Sequence, residues 1–278
     1  MKKQTEADRY WYFTRRKVSS TIKGLRVDAL RCRLNGPKVL LNSIPKAGTN
    51  MIEKTMGSLP GLRCTAQRTL RGWDEIDNRT MKKIRGIKRG QFGSAHLPAH
   101  ESLLSVVEEY GIKVVLMIRD PRDIAVSYIK YVTSIDSTHP AHNFFCSLPD
   151  DDGRLMAVIR GVDRVVSPLA ETLKKFEGWL ENRALIVRFE DLIGSQGGGS
   201  DERQYETVKA IVNHLSLNLM DEQIRLACKS TYSTKTLTFR SGVTRNWKSY
   251  FKQHHVDALK ESAAQMIIRY GYEKDDNW

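Results

Sequence analysis

"NSIPKAGTN", Asn42 to Asn50, lies between a short apolar run, "KVLL", and "MIEKTMGSL", which reads as a helix. A lysine, a glycine and a threonine thus sit in the turn between a strand and a helix. Such a turn suits an anion, because the first amides of a helix lack intrahelical partners and point outward. The residue order differs from the nucleotide-binding loop G-x-x-x-x-G-K-[ST]. Here Lys46 precedes Gly48, and Asn42 stands where a first glycine would be sought. Either the match is a coincidence of composition, or the loop cradles a different phosphate compound.

Working outward, the chain repeats strand, loop and helix. "KVLLN" reads as a strand and "TNMIEKTMGSL" as a helix. "LLSVVEEYG" reads as a helix ended by Gly111, and "IKVVLMI" as a fully apolar strand. "DPRDIAVSYIKYV" reads as a helix with Asp120 as N-cap and Pro121 in its first turn. "PLAETLKKFEGWLEN" is a further helix and "ALIVRF" a further apolar strand. Apolar strands alternating with helices predict an α/β fold, a parallel central sheet flanked by helices. Ligands in such folds bind beyond the carboxyl ends of the strands. "GSQGGGSDE", Gly194 to Glu202, reads as a flexible loop. Segments 63–95 and 132–155 carry little regular pattern.

The 278 residues carry a net charge of +13. That excess favours anionic partners: a nucleotide, an acidic glycan, nucleic acid or a membrane surface. Four scattered cysteines, without a C-x-x-C pair, point to free thiols rather than a disulfide framework or zinc site. No stretch is long and apolar enough to span a bilayer, and the N-terminus has no signal-peptide core, so a cytoplasmic location is expected. Residues 1–36 differ from the rest. Val18, Ile22, Leu25, Ala29 and Cys32 share one helical face, and Arg15, Arg16, Lys17, Lys23, Arg26 and Arg31 make the remainder basic. Two readings stand: a helix lying on an anionic membrane, or one packed on the main domain with a solvated basic side. Two parts are expected, this segment and a domain over 37–278.

Three further stretches carry chemistry. In "MIRDPRDIAVSY", Arg119 ends an apolar strand and Ser127 lies on the following helix. A guanidinium grips a phosphate with two donors and a hydroxyl adds a third, although an Arg119–Asp123 surface pair with Ser127 solvated is an equal reading. In "SAHLPAH", His96 is expected in a loop held by Pro98, as a general base, with His100 as a competitor. "FRSGVTRNWKSYF", Phe239 to Phe251, offers Arg240 and the bare backbone of Gly242 to an anion, with Trp247 anchoring the segment.

Together and in this order, the four stretches resemble the cytosolic sulfotransferases and the wider sulfotransferase family, over about residues 37 to 270. "SIPKAGTN" is similar to the family's 5′-phosphosulfate loop, Y-P-K-[SA]-G-T-[TN]. "RDPRDIAVSY" is similar to its 3′-phosphate motif, R-[ND]-P-[KR]-D-x-x-V-S-Y. "HLP" matches the tripeptide of its catalytic histidine, and "FRSGVTRNW" is similar to its late F-x-R-K-G-x-x-G-D-W segment. The resemblance implies 3′-phosphoadenosine 5′-phosphosulfate (PAPS) as donor, without a metal ion. It makes His96 the base and Lys46 the contact to the bridging oxygen and the sulfuryl group. It assigns the 5′-phosphate to Lys46, Ala47, Gly48, Thr49 and Asn50. It assigns the 3′-phosphate to Arg119, Ser127 and Arg240, with Ser241 and the backbone at Gly242.

This chain departs from the family pattern in places. Met51 replaces a tryptophan that stacks on adenine, and Tyr232 is a candidate for that task. Phe189 replaces a tyrosine and can pack but not donate. Ser94 and Ser241 replace lysines. The dimer motif K-x-x-x-T-V is absent after Trp247, which leaves the oligomeric state open. The acceptor is expected to be a hydroxyl of a glycan or glycolipid, since Arg71, Trp73, His139, His142 and many lysines fill the segments that form lids. Phe144 and Phe145 keep a phenol or alcohol acceptor as the alternative. A nucleotide kinase or ATPase would need the G-K-[ST] order and a magnesium carboxylate. "DDDG", Asp150 to Gly153, reads instead as a helix start. A non-catalytic protein binding nucleic acid or membrane would have lost Lys46 or His96; both are present, and no nucleic-acid partner is expected.

Overall fold

Val39, Leu40 and Leu41 are fully buried, as an unbroken apolar run requires when both faces of a strand are covered. They belong to β1 (Lys38–Ser43), the middle of a six-stranded sheet. The structure is a computed structural model and describes residues 36–65, 67, 69–72, 75–181, 184–232 and 244–278. These form two compact units, one of residues 36–118 and 178–232, the other of 119–177 and 244–278. The basic segment read over residues 1–36 lies outside the described residues except for Gly36, as do Trp73 and Arg240, Ser241 and Gly242.

The larger unit holds the sheet. Its other strands are β2 (Arg63–Cys64), β3 (Leu70–Arg71), β4 (Gln91–His96), β5 (Ile112–Ile118) and β6 (Leu185–Arg188). The order is β2–β4–β1–β5–β6, and β3 also pairs with β4, all in parallel. The chain leaves β1 to one side, builds β2, β3 and β4, then crosses to β5 on the other. The carboxyl ends of β1 and its neighbours therefore form the switch point at which open parallel sheets receive ligands. Helices α1 (Thr49–Ser58), α2 (Asn78–Arg85) and α3 (Glu101–Glu109) follow β1, β3 and β4 in the chain. Gly111, at φ +58, lets the chain turn from α3 into β5.

The smaller unit begins with α4 (Pro121–Ser134), α5 (His142–Ser147) and α6 (Asp151–Arg160). Asp120 caps α4 by accepting from Arg122 N at 2.9 Å, with Pro121 in the first turn. Asp150 caps α6 by accepting from Gly153 N at 3.0 Å, so "DDDG" is a helix start. After α7 (Leu169–Glu181) and β6, the larger unit is completed by α8 (Phe189–Leu192), α9 (Asp201–His214) and α10 (Asp221–Thr231). The smaller unit closes with α11 (Gln253–Arg269).

Three expectations change. Segment 63–95 is regular: it contains β2, β3, α2 and most of β4. The two strands of two residues each are too short for any periodicity to register. Segment 132–155 likewise contains the end of α4, all of α5 and the start of α6. The stretch Gly194 to Glu202 is a tight 3-10 turn, Ser195–Gly197, leading into α9, whose cap Ser200 accepts from Arg203 N at 3.3 Å. Glycines there serve backbone conformation rather than looseness, with φ +73 at Gly194 and +82 at Gly198.

Candidate active site

The stretch from Ile44 to Gly48 continues β1 into α1. Ile44 N donates to Met117 O of β5 at 3.1 Å, and Ala47 N donates back to Ile44 O at 3.0 Å. Lys46 and Gly48 both take positive φ, +71 and +103. Alternating left-handed residues are the conformation from which backbone anion-binding concavities are built. Gly48 is required twice over. Its φ suits glycine, and a β-carbon there would come within 2.6 Å of the Phe189 ring. Phe189, expected to pack rather than donate, lies directly against Gly48 of the loop. Ser43 Oγ and Thr49 Oγ1 pair at 2.9 Å and tie the strand end to the first turn of α1. The N-cap of α1 is Gly48, so no side chain covers that helix end from the cap position.

His96 is the last residue of β4, not a loop residue. Asn42 is in register with Ala95, which brings Ser43 level with His96. The imidazole Nδ1–H donates to Ser43 O at 2.7 Å, leaving the lone pair on Nε2. Burial pushes the imidazole down to about 4 from its ordinary 6.5, and the Arg71 and Lys46 cations add to that, against the Ser43 carbonyl. The residue after it is clamped. Leu97 N donates to Asn42 Oδ1 at 3.0 Å, and Leu97 O accepts from Asn42 Nδ2 at 2.8 Å and from Trp179 Nε1 at 3.0 Å. The clamp, rather than Pro98 alone, fixes the histidine's backbone. His100 is exposed and caps α3, with Nδ1 accepting from Ser102 N at 3.4 Å.

Asn42 is therefore a positioning residue that the sequence showed only as a missing glycine. Asn42→Ala leaves Leu97 O with Trp179 but strips Leu97 N–H of its acceptor in a fully buried site. The expected cost is about 1–3 kcal/mol of stability. A lower denaturant midpoint together with a reduced kcat is the expected result.

In the smaller unit, Arg119 immediately follows β5, and Ser127 lies half-buried on α4. Arg119 Nη2 is 3.7 Å from Asp123 Oδ2, yet both side chains are largely or wholly buried, so this is not the surface pair considered from sequence. Burial pushes the Asp123 carboxyl up, while Arg119 and two amides pull it down. Those amides belong to the late segment: Arg245 N donates to Asp123 Oδ2 and Trp247 N to Asp123 Oδ1, each at 2.9 Å. Arg122 makes a bidentate pair with Asp120, reaches Glu273, and stacks between Trp247 and Trp278 at 4.2 and 4.7 Å. Trp247 is half-buried, with its ring under Arg122 and edge-on to Phe251 at 5.7 Å and its amide on Asp123.

Tyr232 ends α10 in the larger unit, and its carbonyl lies 3.5 Å from Lys54 Nζ on α1. A hydroxyl pair, Thr55 with Thr231 at 2.9 Å, holds α10 on α1. Asp152, His254 and His255 place their ligand atoms within 4.8 Å of one another. However, Lys252 Nζ sits 2.7 Å from Asp152, and Lys252 N donates to His255 Nδ1 at 3.0 Å. That leaves the His255 proton on Nε2, where it donates to Asp152 O at 3.0 Å. The trio is a helix-joining hydrogen-bond cluster.

A parallel α/β sheet whose first strand runs through a left-handed loop into a helix, with His96 at the end of the neighbouring strand, is the frame of the site. The sulfotransferase domain matches residues 36–271, and the chain belongs to that family; it is a sulfotransferase. Among solved structures it is similar to mouse sulfotransferase SULT7A1, crystallised in complex with PAP. The TM-score is 0.62 at 18% identity, covering 89% of this chain and 91% of that one, a likeness of fold. No curated protein sequence matches the chain. Among the described residues, no helix is long and apolar enough to cross a membrane.

Proposed function

We propose that the protein transfers a sulfuryl group from PAPS to an acceptor hydroxyl of a glycan or glycolipid. One observation carries this reading: His96 holds its Nδ1–H on Ser43 O and so presents an unprotonated Nε2 at the end of β4, next to the Lys46–Gly48 loop that follows β1. The residues fit the donor, since Lys46 and Gly48 hold the positive φ of a backbone anion-binding loop and no side chain caps the start of α1. The 5′-phosphate falls to Lys46 and the backbone of Ala47, Gly48, Thr49 and Asn50. The 3′-phosphate falls to Arg119, Ser127 and Arg240, with Ser241 and the Gly242 backbone, and Tyr232 is the candidate for adenine. The domain is assigned to 37–278, and the basic segment 1–36 keeps the two candidate roles read from its sequence, packing on that domain or peripheral membrane contact.

The bound donor supplies the sulfuryl group. His96 Nε2 takes the proton of the acceptor hydroxyl as that oxygen attacks. Ser43 O keeps the ring in the tautomer that can do so. Lys46 offsets negative charge that develops on the leaving oxygen. A glycan acceptor is supported by cations beside the base, Arg71 and Lys46. It is also supported by the packing of Phe145, which is fully buried and edge-on to the half-buried Tyr128 and Phe144, so that ring is part of its own unit's core.

Radiolabelled PAPS with a panel of glycan, glycolipid and phenol acceptors tests the reading. Label transfer to phenols alone would overturn the glycan assignment. Titration with PAP and ATP tests the donor. Arg119→Ala removes a charge-assisted contact worth about 1.5–3 kcal/mol, so Kd for PAP is expected to rise at least about tenfold. Unchanged affinity would remove Arg119 from the donor site.

A further inference from the structure

We infer that Arg71 binds the acceptor, and that the acceptor carries an anionic group, a carboxylate or a sulfate, close to the hydroxyl that His96 deprotonates. The inference rests on the transferase reading above and names the chemistry of its acceptor.

The geometry starts from the sheet. β3 exists as two residues, and it pairs with β4 only at the carboxyl end: Leu70 with Ala95, and Arg71 with His96. Registered partners in neighbouring strands project from the same face, so Arg71 stands beside the base. β4 lies between β1 and β3. The Lys46 loop continues from β1, so Lys46 and Arg71 flank His96 from opposite sides. The donor's sulfuryl end belongs to the Lys46 side. The remaining side, where the attacking hydroxyl must enter, carries Arg71. Leu70 is buried while Arg71 is exposed, so the strand fixes the backbone and leaves the guanidinium to solvent and ligand.

Electrostatics gives the second argument. A cation beside a general base weakens it, and Arg71 contributes to the depressed basicity of His96. Lys46 has a task that justifies its place, the leaving oxygen. Arg71 has no such task on the donor side. An acceptor anion on Arg71 would neutralise that charge and restore the base when the acceptor is seated. A guanidinium suits this, because its planar fork meets carboxylate or sulfate with two parallel donors.

The test uses the full chain with two matched acceptor pairs, 4-nitrophenyl xyloside with 4-nitrophenyl glucuronide, which share the same three ring hydroxyls, and phenol with 4-hydroxybenzoate. The parent protein is expected to favour the charged member of whichever pair it sulfates. Arg71→Gln is expected to lower kcat/KM for the charged member by about tenfold to a hundredfold. The neutral member should be unaffected or faster, because His96 regains basicity. A merely structural role would depress both. Sulfation of the phenols alone, with charge preference that Arg71→Gln removes, would sink the glycan reading but support this one. Equal loss on both members, or a matching loss of PAP affinity, would overturn it. If no acceptor turns over, the PAP-loaded protein is titrated with the two charged compounds, and binding that does not depend on Arg71 overturns it.

Discussion

His96→Ala is expected to lower kcat by about 10²–10⁴-fold, the range for loss of a positioned general base. Kd for PAP should stay within about twofold of the parent, because the ring acts on the acceptor and not on the donor. His100→Ala is the control. His100 is exposed and caps α3, so its loss should cost about 1 kcal/mol of stability and leave turnover intact. An active His96→Ala protein beside a dead His100→Ala protein would move the base to α3. The pH profile gives a second readout. Only neutral imidazole is a base, so activity falls as pH drops through the His96 pKa. In the unliganded enzyme that is about 4, lowered first by burial and then by the Arg71 and Lys46 cations. The acid limb of kcat/KM for the donor should therefore lie well below 6.5. Bound donor is anionic and favours imidazolium, so the acid limb of kcat should lie higher. The opposite order would exclude His96 as the titrating base. Folding shows the same sign. Between about 6.5 and 4 the unfolded imidazole takes a proton that the folded one refuses, and stability declines as pH falls.

How much of this was legible follows from what each element needs. β1 and β5 carry unbroken apolar runs, residues 39–41 and 114–118, because both faces are covered, and such runs declare themselves. α4 was legible from Asp120 and Pro121, since its cap is local. β4 was not. "QFGSAH" holds a glycine, a serine and a histidine, and it is a strand only because β1 and the short β2 and β3 pair with it from either side. His96 was therefore read as a loop residue although its role as base candidate was clear from "HLP". Asn42 illustrates the same limit. Its amide meets Leu97 across 55 positions of chain, and only the β1–β4 register brings them together. Asp123 looked like a helix residue available to pair with Arg119. Its grip on the amides of Arg245 and Trp247 spans more than 120 positions and leaves no local trace.

Lys46→Ala is expected to damage both turnover and donor affinity, with turnover the larger loss. The lysine meets the donor in the ground state and meets developing charge more strongly in the transition state. Loss of one such stabilising group lowers kcat by about 10²–10³-fold. PAP lacks the sulfuryl group, so its Kd should rise by less than kcat falls. The backbone complicates the reading, because Lys46 holds φ +71, which costs a non-glycine residue about 1–2 kcal/mol. Alanine keeps that strain and glycine relieves it. Lys46→Gly should therefore be more stable than Lys46→Ala while equally inactive. That pairing assigns the loss to the ammonium group. If Lys46→Gly recovered turnover, the loop's conformation would be the determinant and the charge would not. Lys46→Arg completes the series. Its fork replaces a point charge that must reach one oxygen, so PAP affinity should be largely kept while kcat stays depressed. Near-parental kcat in Lys46→Arg would mean that charge alone suffices and that the placement of the ammonium on the leaving oxygen is wrong.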